Sequence, residues 1–186
     1  TWCENCVYVE HALDEVEETS SMQQYHFHRF IGESEDPFGT QEGDDRWTDR
    51  YDDRLAPTVV FNGTIRQIGS TPIGDSLVED FTTNVEQELD LGQGSSTLGW
   101  IPASNESNAT VTWALVINQS MIPDNGSIKS MIWIVEQTGH FAEGGNGEED
   151  YPHIIRAVIE LGDSLTGSME ITIPNAWDGD DLEIHL

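Results

Sequence analysis

The sequence predicts a mixed α/β half over residues 1–91, followed by an all-β antiparallel half over residues 97–186, with a linker at 92–96. Three observations carry this division. Before residue 91, apolar residues recur at helical spacing in two stretches. After residue 97 they fall in strand-length runs separated by Gly, Asn, Asp and Pro. Between the halves, Leu91-Gly92-Gln93-Gly94-Ser95-Ser96 is a short Gly/Ser connector.

In the first half, Val7, Leu13 and Val16 lie among acids at broadly helical spacing directly after Cys3 and Cys6, which predicts a first helix. A second is predicted from Asp75 to Leu89, where Leu77, Val78, Phe81, Val85 and Leu89 form one stripe. Met22–Ile31 alternates and is rich in aromatics, and so reads as a strand. Thr58–Phe61 leads through Asn62-Gly63 into Thr64–Ile68, and Asn-Gly supplies the positive φ that a two-residue hairpin turn requires. Residues 32–54 read as an acidic loop with one helical stretch around Asp45–Arg54.

In the second half, strands are predicted over Ala109–Ile117, Ser127–Glu136, His153–Leu161, Ser168–Ile173 and Asp181–His185, with the turn spacing of an antiparallel sandwich. The apolar runs at 111–117 and 131–135 are nearly continuous, which predicts central strands. The Gly- and acid-rich stretch Ala142–Asp150 reads as a mobile loop. Trp113 and Trp133 are expected in the core, and Trp100 and Trp177, beside Gly, Pro and Asp, at its margin.

Composition narrows the function classes. The hydrophobic share of 37% is below the roughly 45–50% of an average domain, but six Trp and six Phe in patterned runs imply a packed core rather than an acidic disordered chain. With 35 acids against 7 bases the net charge is −28, spread over both halves. Such a surface repels phosphate backbones and anionic lipid, which argues against nucleic acid and peripheral-membrane partners. Carboxylates in this excess suit a protein kept soluble in high salt, where self-repulsion is screened; a halophilic or marine source is expected.

No apolar run approaches the roughly 18 residues of a membrane span, and no signal segment is evident at the start. Asn-x-Ser/Thr occurs at Asn62, Asn105, Asn108, Asn118 and Asn125, five of nine asparagines, whereas 29 Ser and Thr in 186 residues give about 1.4 by chance. The enrichment points to glycosylation and an extracytoplasmic location.

The only cysteines lie in Trp2-Cys3-Glu4-Asn5-Cys6, just before the first predicted helix. There, unpaired backbone N–H groups and the helix dipole stabilise a thiolate at the first sulfur, and the second is close enough to resolve a mixed disulfide. The same spacing also serves zinc sites and structural disulfides. His26 and His28, two apart on a predicted strand, form a possible metal set with Cys3 and Cys6 if all four converge. His11 reads as solvated, and His140, His153 and His185 are scattered. The acidic runs at Asp44-Asp45, Asp52-Asp53, Glu148-Glu149-Asp150 and Asp178–Asp181 lack the regular spacing of a calcium loop and read as solvated surface. No serine-nucleophile elbow or phosphate-cradling loop occurs, so no cofactor is expected beyond the dithiol.

Trp-Cys-x-x-Cys before a helix, followed later by Ala56-Pro57-Thr58-Val59-Val60-Phe61-Asn62-Gly63 and a last helix, resembles the thioredoxin-like fold over roughly residues 1–91. A closer resemblance is to the outer-membrane-protein-related thioredoxin-fold lipoproteins, through Tyr25-His26-Phe27-His28 and Tyr151-Pro152-His153-Ile154-Ile155-Arg156. The resemblance implies an α/β thioredoxin-like domain followed by an all-β antiparallel sandwich domain. The central strand that the family places before its Cys pair is missing from this stretch or supplied otherwise.

It further implies Cys3 as nucleophile, Cys6 as resolving thiol, Trp2 as their shield, Pro57 as a cis-proline, and Ala56 and Thr58 as the backbone that pairs with a peptide substrate. The expected function is an extracytoplasmic thiol–disulfide oxidoreductase or isomerase acting on a protein client or redox partner, with the β half for docking or self-association. Glu4, a carboxylate between the cysteines, opposes thiolate formation and favours a reducing or isomerising role. The alternative is a glycosylated envelope or extracellular assembly module in which the cysteines only staple.

Overall fold

The structure is a computed structural model and describes residues 2–29, 36–52, 55–89, 95–102, 107–117, 126–175, 177 and 181–186. In chain order these form α1 (Glu4–Thr19), α2 (Gln41–Tyr51), β1 (Thr58–Phe61), β2 (Ile65–Ile68), α3 (Asp75–Leu89), β3 (Ser95–Pro102), β4 (Asn108–Val116), β5 (Ser130–His140), β6 (Asp150–Gly162), β7 (Thr166–Thr172) and β8 (Leu182–His185).

Helical spacing explains the first layer. Val9, Ala12 and Val16 are the buried stripe of α1, and Leu77, Phe81 and Val85 that of α3. The two stripes close on Phe61 of β1 in one apolar cluster. β1 and β2 pair antiparallel, Phe61 opposite Ile65, around a turn in which Asn62 and Gly63 both take positive φ (47° and 79°). Thr40 caps α2, its side-chain oxygen accepting from the Gly43 N–H at 3.1 Å. The helical stretch expected around Asp45–Arg54 thus begins earlier, at Gln41.

The second half contains two three-stranded antiparallel sheets, ordered β3-β4-β7 and β6-β5-β8. The two strands with nearly continuous apolar runs, β4 and β5, are central, as expected. Ala109 and Val111 of β4 meet Ile132 and Ile134 of β5, together with Ile171, Ile173 and Leu182, in a second buried cluster. Trp113 and Trp177 pack at its edge, while Trp100 is 37% exposed. β3 starts at Ser95, inside the expected linker; residues 92–94 lie outside the described residues.

The α/β thioredoxin-like domain followed by a β-sandwich is not the architecture formed. Among the described residues three helices accompany eight strands in small sheets, and every named strand pair is antiparallel. An α/β layer needs parallel strands joined through crossover helices, and the described residues of the expected strand Met22–Ile31, 22–29, do not join the β1–β2 hairpin. Its one bridge is a parallel pairing of His26 with Ile154 of β6, in which the His26 N–H donates to the His153 carbonyl at 2.8 Å and the Ile155 N–H donates to the His26 carbonyl at 3.0 Å. Residues 30 and 31 lie outside the described residues. Segment 22–29 therefore ties the helical half to the β half. A third apolar cluster, Phe38 with Tyr151 and Ile154, reinforces that tie.

Candidate functional site

Cys3 is the N-cap residue of α1 and is disulfide-bonded to Cys6, three residues on, with Cα atoms 5.3 Å apart. Both are partly exposed. The Cys6 N–H donates to the Cys3 carbonyl at 3.1 Å, and no side-chain oxygen caps the helix start, so the sulfurs stand where the first-turn N–H groups and the helix dipole carry positive charge.

Trp2 is half-exposed and lies edge-on to Phe141 at 6.5 Å between ring centroids. It also rests on Gly145, where an added Cβ would come within 2.6 Å of its ring. The loop expected to be mobile is held at its base, with the Phe141 N–H donating to the Glu149 carbonyl at 2.8 Å and the Tyr151 hydroxyl donating to Asn146 Oδ1 at 2.7 Å.

Glu10, one helical turn beyond Cys6 and on the same face of α1, is raised from an ordinary 4.5 to about 7 by burial, and then by the negative charges of Asp14 and Glu148. Tyr151 is raised by burial and by Asp36, Glu10 and Glu148. The polar face of α1 thus looks onto the β5–β6 connection.

Further along this face, Gln24 is buried and its amide Nε2 donates to Glu17 Oε2 at 2.8 Å and Asp14 Oδ1 at 3.3 Å, while its Oε1 pairs with His26 Nε2 at 3.1 Å. His153 Nε2 lies 3.4 Å from Glu17. His153 has a left-handed backbone (φ 52°) that turns β6 toward His26. Burial, then the neighbouring His28 and His153, pushes His26 down to about 3, so it is neutral at physiological pH. Burial also leaves His28 below its ordinary value despite its 3.1 Å hydrogen bond from Nδ1 to Asp36.

Cys3, Cys6, His26 and His28 do not converge as a metal set. Among the described residues, the one group of three potential ligands within reach of each other is Asp14, Glu17 and His153, and the Gln24 amide already stands between its two carboxylates.

Ala56, Pro57 and Thr58 enter β1, with the Ala56–Pro57 peptide cis, the isomer the resemblance implies, and Pro57 buried; Thr71–Pro72 is cis as well. Ala56 is exposed, and the Thr58 hydroxyl donates to the Leu55 carbonyl at 2.6 Å. Of the sequon asparagines, Asn62 is exposed in the hairpin turn, its amide donating to Glu88 at 3.1 Å, and Asn108 is half-buried at the start of β4. Asn105, Asn118 and Asn125 lie outside the described residues.

Sequence reasoning missed Glu10 and Gln24. The i, i+4 spacing of Cys6 and Glu10 was the available signal for the first. Gln24 had none, because its role arises only where segment 22–29 crosses α1.

The arrangement defines a half-exposed disulfide at a helix start with a neutral-range carboxyl one turn away. No family model matches this chain, and neither a curated protein nor a solved structure matches it.

Proposed function

We propose that this protein exchanges disulfides with a protein client through Cys3 and Cys6, outside the cytoplasm. The carrying observation is the placement of a partly exposed Cys3–Cys6 bond across the first turn of α1. A helix start favours thiolate over thiol, and so favours a sulfur that both attacks and leaves.

From the oxidised state, a client thiolate attacks Cys3 Sγ, forming a client–Cys3 disulfide and expelling Cys6 as thiolate. A second client thiolate then attacks the client sulfur of that mixed bond, and Cys3 leaves. The client loses two electrons and gains a disulfide, and the Cys pair is reduced; the reverse sequence reduces a client. Glu10, one turn on from Cys6 along α1, supplies a carboxyl raised to about 7 that can hold or release a proton beside the pair at neutral pH. The resemblance in the Cys motif and the Pro57 segment supports the same chemistry. The sequon excess supports the location.

The test is the equilibrium of Cys3–Cys6 against glutathione in high salt, with alkylation of the reduced form against pH and a Cys3→Ser control. A potential within about −120 to −270 mV, the range of exchange enzymes, and a single acidic thiol that disappears in Cys3→Ser are expected. A bond below about −300 mV that resists exchange overturns the reading and makes the pair a structural staple.

A further inference from the structure

The seven Lys and Arg residues of this chain face 35 carboxylates, so a place where bases gather stands out. The Arg156 guanidinium is paired with Glu136 in a buried ion pair. His28, His140 and His185 each pair with a carboxylate as well. Arg46, Arg50 and Lys129 do not. None of them makes an ion pair with a described residue, yet all three line one open cleft of about 750 Å³.

The cleft follows from strand and helix periodicity. On β5, Ile132 and Ile134 point into the second core, so Met131 and Trp133 face the other way, and Lys129 continues that row just ahead of the strand. Cross-strand pairing sets Glu160 opposite Met131 and His185 opposite Trp133. Helix α2 stands over this face: Arg46 and Arg50 share a side at i, i+4 spacing, and the Arg46 guanidinium lies 5.6 Å from the centre of the Trp133 ring. Tyr25 closes one end, edge-on to Trp133 at 4.6 Å and to His185 at 5.4 Å. Asp49 and Glu160 are the acidic side chains on the walls, so three bases stand against two acids where the whole chain has one base to five acids.

We propose that this cleft binds a small organic anion, one bearing carboxylate or phosphate groups, through Arg46, Arg50 and Lys129 above the Trp133 row. Its volume lies within the range of about 300–1,000 Å³ typical of small-ligand sites. Guanidinium groups match both oxyanions bidentately. The field of a −28 chain opposes any anion at long range, but at about 1 M salt the Debye length falls to roughly 3 Å, so direct contacts in the cleft outlast the repulsion. The site is independent of the disulfide chemistry.

Calorimetric titration of the whole chain with citrate and, separately, with pyrophosphate tests it, at constant ionic strength so that screening is equal. One-site saturable binding is expected, and the tighter probe shows whether carboxylate or phosphate is the recognised group. The double variant Arg50→Gln/Lys129→Gln removes two exposed bases that make no ion pair with a described residue and should weaken binding at least tenfold. The single variant Lys129→Gln should weaken it severalfold. Arg29→Gln, which removes the same charge from an exposed position outside the cleft, should leave it unchanged. Absence of saturable binding to both probes overturns the proposal. So does equal weakening by Arg29→Gln and Lys129→Gln, which would reduce the effect to net charge.

Discussion

Replacing Glu10 with Gln should change how stability depends on pH, with a sign and size that follow from the environment of the carboxyl. Burial against the β5–β6 connection and repulsion from Asp14 and Glu148 raise it from 4.5 to about 7. Between those values the folded chain holds a proton that the unfolded chain has released. Stability therefore falls as pH rises through this window. Each pH unit of displacement is worth about 1.4 kcal/mol, so the full loss is on the order of 3 kcal/mol.

His26 acts in the opposite sense. Moved from 6.5 down to about 3, chiefly by burial, it stays neutral in the fold while the unfolded chain protonates, and stability is lost as pH falls through that range. The wild-type chain should consequently be most stable between the two effects. Urea unfolding of wild type and Glu10→Gln at fixed salt, from pH 4 to pH 8, isolates the carboxyl, because the other titrating groups cancel in the difference. The variant should gain about 3 kcal/mol relative to wild type between pH 4.5 and pH 7.5. Parallel curves across that window would refute the reasoning.

Two further substitutions test the packing that presents the site. Gly139→Ala places a methyl group within 3 Å of both buried Phe38 and buried Ile154; overpacking of this kind costs about 1–3 kcal/mol, read as a lowered urea midpoint with an unchanged slope. Thr40→Ala removes the oxygen that accepts from the Gly43 N–H and should cost roughly 0.5–2 kcal/mol. Because α2 carries Arg46 and Arg50, the same variant should also weaken citrate or pyrophosphate binding, measured by calorimetry.

Features that depend on local chemistry were legible in the residues. The Leu77, Phe81 and Val85 stripe forms a helix with the expected bounds, Asp75–Leu89, because helical periodicity needs only near neighbours. Asn62-Gly63 makes its turn because these two residue types tolerate positive φ. Cys3 and Cys6 sit at a helix start, since two cysteines three apart before an apolar stripe can occupy one turn.

Partner choice was not legible, because it joins residues distant in the chain. The aromatic alternation of Met22–Arg29 suits any sheet edge, and nothing within it distinguishes the hairpin from β6. His153, with its left-handed backbone, and the Gln24 contacts to α1 decide for β6. The continuous apolar run of β5 likewise conceals which side faces the core. Trp133 looks away from it because Tyr25 and Phe27, from the first half, pack against its other side.

By itself, then, the sequence determined the helices, the hairpin, the central strands, the Cys pair and the acidic surface, all set by composition or by neighbours within a few turns. Tertiary structure alone decided the pairing of segment 22–29 with β6, the neutral-range Glu10 and the gathering of Arg46, Arg50 and Lys129. Strand pairing, desolvation and the meeting of charges all depend on which distant segments come into contact.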